Sequence, residues 1–374
     1  MALKLGPKFG PYAINKECPY SVLYNVWDSW RLQYQGFARL PGPLPKDIAA
    51  QTLKANAREV LYAGTGHFHY MWVSDFAKSL RGAQKVLEPA YLRRQIEWMI
   101  KESARLGRVP SCFSSEHGFD MPYYRGDNLP WLIYSIHEHV KWTGDNSLAD
   151  VHRGALQVMI EDYEQAHMSG GLLAKSVTGD WMDTVLRPSS TYNNLCALRM
   201  TFDALALGLK TRTEPGPFAR RIIEDRWRKD HFVDFAGTEL FSVDAGVFAL
   251  YLDLFDPALR EQIVKGLEIS GLAQPYPIKV APKDFDRSLM PILTRLSPKY
   301  HSSTWLHLGL MYLNGLKKNG RDVASALKGI DELTLRYGQM VEAVDEKGDL
   351  YKTFFHSSEY GLSMAAGQYL ELVA

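Results

Sequence analysis

Apolar positions recur every three to four residues along most of the 374-residue chain, which is the spacing of amphipathic helices. The alternation of apolar and polar positions that is typical of strands is scarce, and Tyr276–Val280 would form a small hairpin at most. The sequence therefore predicts an all-α protein. About twelve helices are expected, over residues 46–61, 74–87, 90–106, 129–143, 146–167, 192–210, 215–230, 244–254, 257–270, 302–317, 321–340 and 359–373.

The connections between these helices alternate between short and long. Those after the second, fourth, sixth, eighth and tenth helices are short, and short links force consecutive helices to lie antiparallel. Twelve helices joined in this way form six hairpins, so the predicted architecture is an (α/α)6 barrel, a six-hairpin toroid. All long loops would then meet at one rim, at the N-terminal ends of the inner helices, where function is usually built. They span 62–73, 107–128, 168–191, 231–243, 271–301 and 341–358.

The first part of the chain differs from the rest. Residues 1–42 are rich in Pro, Gly and aromatic residues, so we expect an N-terminal arm laid over the surface of a barrel domain that spans 43–374. The aromatic side chains of this arm would suit a segment that covers a site at the rim.

Composition and charge exclude several classes of partner. The net charge is +1, with 43 basic and 42 acidic residues and no block of like charge, so nucleic acid and anionic membrane surfaces are not expected partners. Three widely spaced cysteines argue against a disulfide scaffold. Since we also find no signal peptide and no membrane span, we expect a cytoplasmic protein that is a monomer or a small homo-oligomer.

The long loops concentrate carboxylates and aromatic rings, a combination that suits carbohydrate. Glycoside hydrolysis needs two carboxyl groups, one protonated to donate to the leaving oxygen and one ionised. The segment 178–184 holds two carboxylates beside an indole, and an apolar neighbour can keep a carboxylic acid protonated. Residue chemistry alone does not choose the pair. The candidates are Asp75, Asp127, Asp180, Asp183, Asp244, Glu342, Asp345 and Glu359.

Five groups of loop residues, in order, are similar to a known set of enzymes. They are Gly66–Asp75, Tyr124–Trp131, Asp180–Asp183 with Tyr192–Asn194, Tyr300–Trp305, and Glu342–Gly348 with Ser363–Leu370. Together they resemble the glucosidase part of glycogen-debranching enzymes and the related processing α-glucosidase and mannosylglycerate hydrolase group, over roughly residues 60–372. The resemblance implies an inverting six-hairpin glycosidase that releases a sugar, glucose by preference, from a small α-glucoside or an oligosaccharide non-reducing end.

The same resemblance implies roles for individual residues. Asp183 would be the general acid and Glu342 the general base, with Glu359 as the second choice for the base. In an inverting enzyme the two carboxyl groups lie roughly 6.5–9.5 Å apart, which leaves room for water. Further substrate contacts are expected from Trp72 and Asp75 at the bottom of the pocket, from Asp127 on sugar hydroxyls, and from Tyr124, Arg125, Asp180, Trp181, Asn194, His301, Trp305 and Glu359.

Two positions depart from the pattern of that family. Ser74 stands where the family usually has an arginine before the first-loop aspartate, and Tyr192-Asn193 replaces a glutamate that often precedes Asn194. These departures weaken the prediction of the substrate more than that of the reaction.

The sequence is also compatible with other functions. A sugar epimerase or isomerase on the same toroid would rely on histidines such as His301, and a non-catalytic carbohydrate-binding protein or a helical interaction scaffold would need no carboxylate pair. No metal and no cofactor is expected, because the pairs His67/His69 and His137/His139 lack a third ligand at a plausible spacing and no nucleotide-binding glycine motif occurs.

Overall fold

The computed structural model describes residues 22–36, 38–66, 68–119, 125–183, 185–290, 299–353 and 357–373. Helices dominate this part of the chain. Their bounds are α1 Val22–Gln35, α2 Pro45–Asn56, α3 Val73–Ala83, α4 Pro89–Leu106, α5 Asn128–Thr143, α6 Ser147–Val151, α7 Arg153–His167, α8 Thr191–Ala206, α9 Pro215–Arg226, α10 Val243–Tyr251, α11 Pro257–Ile269, α12 Leu306–Lys318, α13 Ala324–Tyr337 and α14 Ser363–Val373.

Six of these helices form a closed inner ring. Helix α3 packs on α5, α5 on α8, α8 on α10, α10 on α12, α12 on α14, and α14 returns to α3. These inner helices are more completely buried than the others, because one face packs on the ring and the opposite face on an outer helix. The predicted (α/α)6 barrel is confirmed.

Short strands stiffen the connections at one end of the ring. They are β1 Met71–Trp72, β2 Cys112–Phe113, β3 Gly118–Phe119, β4 Met168–Ser169, β5 Leu172–Leu173, β6 Thr304–Trp305 and β7 Ala343–Val344. The antiparallel pairs β1–β2 and β6–β7 join different long loops, whereas β2–β3 and β4–β5 each lie within one loop.

Several helices begin or end where the sequence pattern alone does not indicate. The predicted helix over 302–317 begins later, at Leu306, because Thr304 and Trp305 pair with β7. The last helix begins at Ser363 rather than at 359, because Gly361 has a φ of +62° that a helix does not tolerate. Within the predicted arm, residues 22–35 form helix α1, which the analysis of periodicity did not predict.

The C-terminal ends of the inner helices are sealed by charged side chains. Arg81 pairs with Glu138 at 2.7 Å and with Glu371 at 3.0 Å. Lys318 donates to the Tyr251 carbonyl at 3.0 Å, and Lys85 donates to the Leu370 carbonyl at 2.9 Å. Cations at this end satisfy carbonyl groups that the helices leave unpaired. The opposite end of the ring, at the helix N-termini, carries the long loops.

Candidate active site

The second and third long loops are joined through their backbones. Gly126 donates its N–H to the Gly179 carbonyl at 3.0 Å, next to a parallel bridge between Arg125 and Gly179. Asn193, in the first turn of α8, donates its side-chain amide to the same carbonyl at 3.0 Å. This junction places Arg125 beside the segment Asp180–Asp183.

Asp183 is half-buried, and its environment favours the protonated acid. Burial raises the pKa of the Asp183 carboxyl to about 6, Arg125 opposes that rise, and the nearby carboxylates of Asp75 and Asp180 add to it. Asp75 in the first turn of α3 and Asp180 in the third loop therefore both act on the Asp183 carboxyl by charge. A carboxyl with this pKa retains a proton at mildly acidic pH and can donate it.

Glu342 lies at the start of the sixth loop's strand and is held in one orientation. Its Oε2 accepts hydrogen bonds from the Tyr300 hydroxyl at 2.5 Å, the Glu359 backbone N–H at 2.9 Å and the Ser358 hydroxyl at 3.5 Å. Its own backbone is fixed, because its carbonyl accepts from Leu306 N and its N–H donates to the Glu359 carbonyl. Hydrogen bonds to a carboxylate favour its ionised form.

The Tyr300 hydroxyl donates a hydrogen bond to Glu342, and the charge of Asp183 acts on the same hydroxyl. Burial raises the pKa of the Tyr300 hydroxyl well above its usual value, and the carboxylates of Glu342, Asp183 and Glu359 raise it further. Since an electrostatic effect of this kind requires proximity, Asp183 and Glu342 both lie near this hydroxyl. Tyr300 was not among the site residues predicted from the sequence, although it belongs to one of the motifs that carry the resemblance.

Arg125 is positioned by a buried hydrogen-bond chain. Asp127, which has no exposed surface, accepts from Arg125 Nε at 3.2 Å and from an Arg125 terminal nitrogen at 3.0 Å. It also accepts from the Tyr192 hydroxyl at 2.9 Å, which in turn accepts from Trp131 Nε1 at 2.8 Å. The guanidinium group also donates to Ser74 Oγ at 3.2 Å. In this arrangement Asp127 orients Arg125.

Aromatic rings surround this cluster. Trp181 meets Trp305 edge to face with ring centroids 5.3 Å apart, and Tyr300 lies 4.9 Å from Trp305. The Arg125 guanidinium lies 5.4 Å from the Trp72 ring centroid. The structure therefore brings together the aromatic residues that were predicted from separate loops.

A buried arginine supports the acid-bearing loop. Arg187 donates to Asp180 at 3.0 Å, to Asp234 at 2.6 Å and to Asp244 at 2.9 Å, and its side chain has no exposed surface. Asp180 also accepts from the Met182 backbone N–H, and Asp244 accepts from Trp181 Nε1, both at 2.9 Å. We call Arg187, Asp180, Asp234 and Asp244 the arginine node. Sequence reasoning missed Arg187 and Asp234, because the burial of a charged residue in a loop has no signature in a single sequence.

Glu359 holds the first loop. Its Oε1 accepts from Gly66 N at 2.6 Å and Tyr360 N at 2.9 Å, and its Oε2 accepts from Phe68 N at 2.9 Å. The carboxylate is fully buried. Both oxygens are thus engaged by backbone groups.

Of three other residues that were predicted to contact substrate, the structure describes the side chain of one. Asn194 is fully buried, accepts from Leu173 N at 2.9 Å and donates to the Ser190 carbonyl at 2.8 Å, so it joins the third loop to α8. Tyr124 and the side chain of His301 lie outside the described residues. The prediction that these two contact substrate, and the isomerase reading that relies on His301, stay predictions.

Several solved structures that share this architecture are glycosidases. A glycosidase variant in complex with glucose superposes with a TM-score of 0.66 at 14% identity, over 88% of this chain and 95% of that one. A GH63 mannosylglycerate hydrolase from Thermus thermophilus, in complex with Tris and D-glycerate, gives a TM-score of 0.64 at 13% identity, over 88% and 100%. The fold is that of the six-hairpin glycosidases.

A third match comes from a longer protein. A rhamnosidase from Klebsiella oxytoca with rhamnose bound gives a TM-score of 0.65 at 15% identity over 87% of this chain. The chain spans 62% of the length of that rhamnosidase. No protein-family model and no curated protein sequence matches the chain.

Across the residues that the structure describes, no helix has the length and apolar character needed to span a membrane.

Proposed function

We propose that the protein is an inverting glycoside hydrolase in which Asp183 is the general acid and Glu342 the general base. The observation that carries the proposal is the contrast between the two carboxyl groups near Tyr300. Burial raises the pKa of Asp183 to about 6, while Glu342 accepts three hydrogen bonds on one oxygen. One protonated and one ionised carboxyl group are the pair that glycoside hydrolysis requires.

Each group has a defined task in this mechanism. Asp183 donates its proton to the glycosidic oxygen as the bond to the anomeric carbon breaks. Glu342 removes a proton from a water molecule that attacks the opposite face of the same carbon, which gives the inverted anomer. Arg125 and Asp75, the neighbours that most affect the Asp183 carboxyl by charge, would contact hydroxyl groups of the sugar.

Glu342 is a better general base than Glu359. A base needs a carboxylate oxygen that can accept a proton from water. Glu359 has three backbone N–H donors divided over both oxygens, and its loss would release Gly66 and Phe68 of the first loop. We therefore assign Glu359 to loop support.

The proposed substrate is a small α-glucoside or the non-reducing end of an oligosaccharide, with glucose as the released sugar. Support comes from the solved structures, since one glycosidase of this fold holds glucose and a mannosylglycerate hydrolase of this fold holds D-glycerate. The resemblance of the loop motifs to glycogen-debranching glucosidases points to the same sugar. We propose that the protein acts in the cytoplasm and that no cofactor takes part.

Sugar release from a panel of α-glucosides tests the proposal. Asp183→Asn and Glu342→Gln should each lower kcat by a factor on the order of 10³ or more, while circular dichroism shows an unchanged fold. Asp162→Asn on the exposed face of α7 and Glu346→Gln in the sixth loop are matched controls and should retain native turnover. Turnover by folded Asp183→Asn at the native rate would refute its role as the acid.

A sugar that binds without being cleaved would indicate the alternative, a carbohydrate-binding protein. Isothermal titration calorimetry with glucose on the native chain separates that outcome from complete inactivity.

A further inference from the structure

Lys78 of α3 is a buried lysine next to the candidate site. Its side chain is buried, and its Nζ makes no hydrogen bond to any residue that the structure describes. Four aromatic rings surround the ammonium group instead, with centroids at 5.3 Å for Trp181, 5.4 Å for Phe248, 5.7 Å for Trp131 and 5.9 Å for Tyr192. We call these four rings the aromatic cage.

A buried ammonium group without an acceptor is costly, so the cage must contribute to its stability. The faces of Trp, Tyr and Phe rings attract cations, and this attraction increases when water is excluded. An apolar side chain of the same length would fill the cage without the cost of desolvation. The presence of a lysine here therefore calls for a role other than packing.

The charged and titratable groups that act on Lys78 belong to the candidate site. Asp75 lies three residues earlier in α3, on the same helix face, and Asp127 and Arg125 lie at the start of α5. Burial lowers the pKa of Lys78, the Asp75 and Asp127 carboxylates oppose that fall, and the Arg125 guanidinium and the Cys196 thiol act more weakly. In return, Lys78 is the strongest of the charges that lower the pKa of Asp75, which burial raises.

Three of the four rings of the cage take part in hydrogen bonds that lead to the site. Trp181 precedes Asp183 by two residues and donates to Asp244 at 2.9 Å. Trp131 donates to the Tyr192 hydroxyl, and Tyr192 donates to Asp127, the carboxylate that orients Arg125. Phe248 packs edge to face on Tyr192, with ring centroids 4.6 Å apart.

We propose that Lys78 is a positioning residue of this site. Its ammonium group holds the Trp181 ring of the acid-bearing loop in place and holds Tyr192 against Asp127. The inference rests on the proposed glycosidase function and adds a residue that the resemblance does not supply.

The variant Lys78→Met tests this role, because methionine fills the cage without the charge. We expect kcat to fall roughly tenfold to a hundredfold, since small displacements of a catalytic group have effects of that size. The acidic limb of the kcat/KM profile should move to higher pH, because Asp75 loses the cation that most lowers its pKa. Lys85→Met, at the sealed end of the barrel, is the control and should retain native values.

A readout without substrate separates this inference from the proposed function. Lys78→Met should change the tryptophan bands of the near-ultraviolet circular dichroism spectrum, and the change should vanish when the same substitution is made in a Trp181→Phe background. If the native chain cleaves no glucoside, the proposed function fails, and this spectral comparison still decides the role of Lys78.

Three results would overturn the inference. They are native turnover and pH profile in folded Lys78→Met, a native near-ultraviolet spectrum, or a spectral change that persists without Trp181. If Lys78→Met does not fold, Phe248→Leu removes one ring and keeps the charge. It should give the same Trp181-dependent spectral change, and a native spectrum in that variant would refute the cage as a positioning device.

Discussion

At the scale of single residues, the proposed chemistry depends on two carboxyl groups in different environments. Asp183 is half-buried beside other carboxylates, whereas Glu342 is buried against hydroxyl and backbone donors. The first environment favours a proton and the second favours a charge. Identical chemical groups thus acquire opposite roles from their surroundings.

The pH dependence of turnover follows from the pKa of Asp183. Because burial raises this pKa to about 6, the carboxyl is protonated below pH 6 and loses its proton above it. A general acid works only in its protonated form. The basic limb of the kcat/KM profile should therefore begin near pH 6 and fall about tenfold per pH unit. Initial rates between pH 4 and 9 measure this limb. A profile that stays flat to pH 8 would contradict Asp183 as the acid.

The residue types of the site could be predicted from the sequence, but their environments could not. The Trp-Met-Asp and Glu-x-x-Asp motifs identified Asp183 and Glu342 as the candidates. The same reading gave Asp127 a role on sugar hydroxyls, which stays a prediction, and it did not show that the Asp127 carboxylate accepts three hydrogen bonds from Arg125 and Tyr192. Such partners are brought together by the fold, and a single sequence does not show them.

At the scale of elements, the arginine node fixes the loop that carries the acid. The single guanidinium group of Arg187 donates to three aspartates. In a buried site, charging all three carboxylates would cost too much desolvation free energy. Burial and the Asp244 and Asp180 carboxylates raise the pKa of Asp234 to about 7 although Arg187 opposes this. The Oδ2 atom of Asp234 has no hydrogen-bond partner among the described residues, which suits an oxygen that carries the proton. The node therefore contains a neutral Asp234 below neutral pH.

Asp234→Asn should imitate this neutral form. A group whose pKa is raised by folding contributes stability below its unfolded pKa, near 3.8, and loses that contribution as the pH rises towards 7. Relative to the native chain, the variant should therefore gain stability as pH rises from 4 to 7. Urea unfolding at pH 4.5, 5.5 and 6.5 would measure the difference.

Asp244→Asn is the matched comparison. Asp244 accepts from Arg187 and Trp181 on one oxygen and from Ser242 and the Ala245 backbone on the other, and those interactions lower its pKa against the effect of burial. Its loss should cost about 3 kcal/mol, since a broken buried ion pair leaves a charge without its partner. Equal effects of the two substitutions would contradict a neutral Asp234.

Some element boundaries could be predicted from the sequence and others could not. The positions of the long and short connections follow from helical periodicity, because each hairpin buries one apolar face. The start of α12 does not, since it depends on the pairing of β6 with β7, which is distant in sequence. Helix α1 was also missed. Among its side chains that the structure describes, Leu32 belongs to a small cluster with Leu306, Val344 and Tyr360, while Trp27 and Tyr34 are exposed.

At the scale of the whole molecule, the barrel is closed by contact between its first and last inner helices. Gly82 of α3 and Gly367 of α14 meet backbone to backbone, and a Cβ on Gly82 would lie 1.9 Å from the Gly367 carbonyl oxygen. The same closure brings α14, and with it the loop that carries Glu342 and Glu359, back to the first loop. Ring closure and the assembly of the site are therefore coupled.

Gly82→Ala should destabilise the protein strongly. The added methyl group meets backbone rather than a flexible side chain, so the helices must separate, at a cost of about 3 kcal/mol. Gly154→Ala on the outer helix α7 is the control, because no atom lies within 4 Å of the added Cβ. It should be neutral or stabilise by up to about 1 kcal/mol. Urea midpoints measure both, and an unaffected Gly82→Ala variant would contradict the close contact between α3 and α14.

Proton NMR of the first sugar released from an α-glucoside tests the proposed inverting mechanism most directly. A carboxylate pair that activates water on the face opposite the leaving group predicts β-glucose at early times, before mutarotation, and no such signal with Glu342→Gln. Release of α-glucose would show retention of configuration. It would contradict the assignment of Glu342 as a base and of Asp183 as its partner across a water molecule.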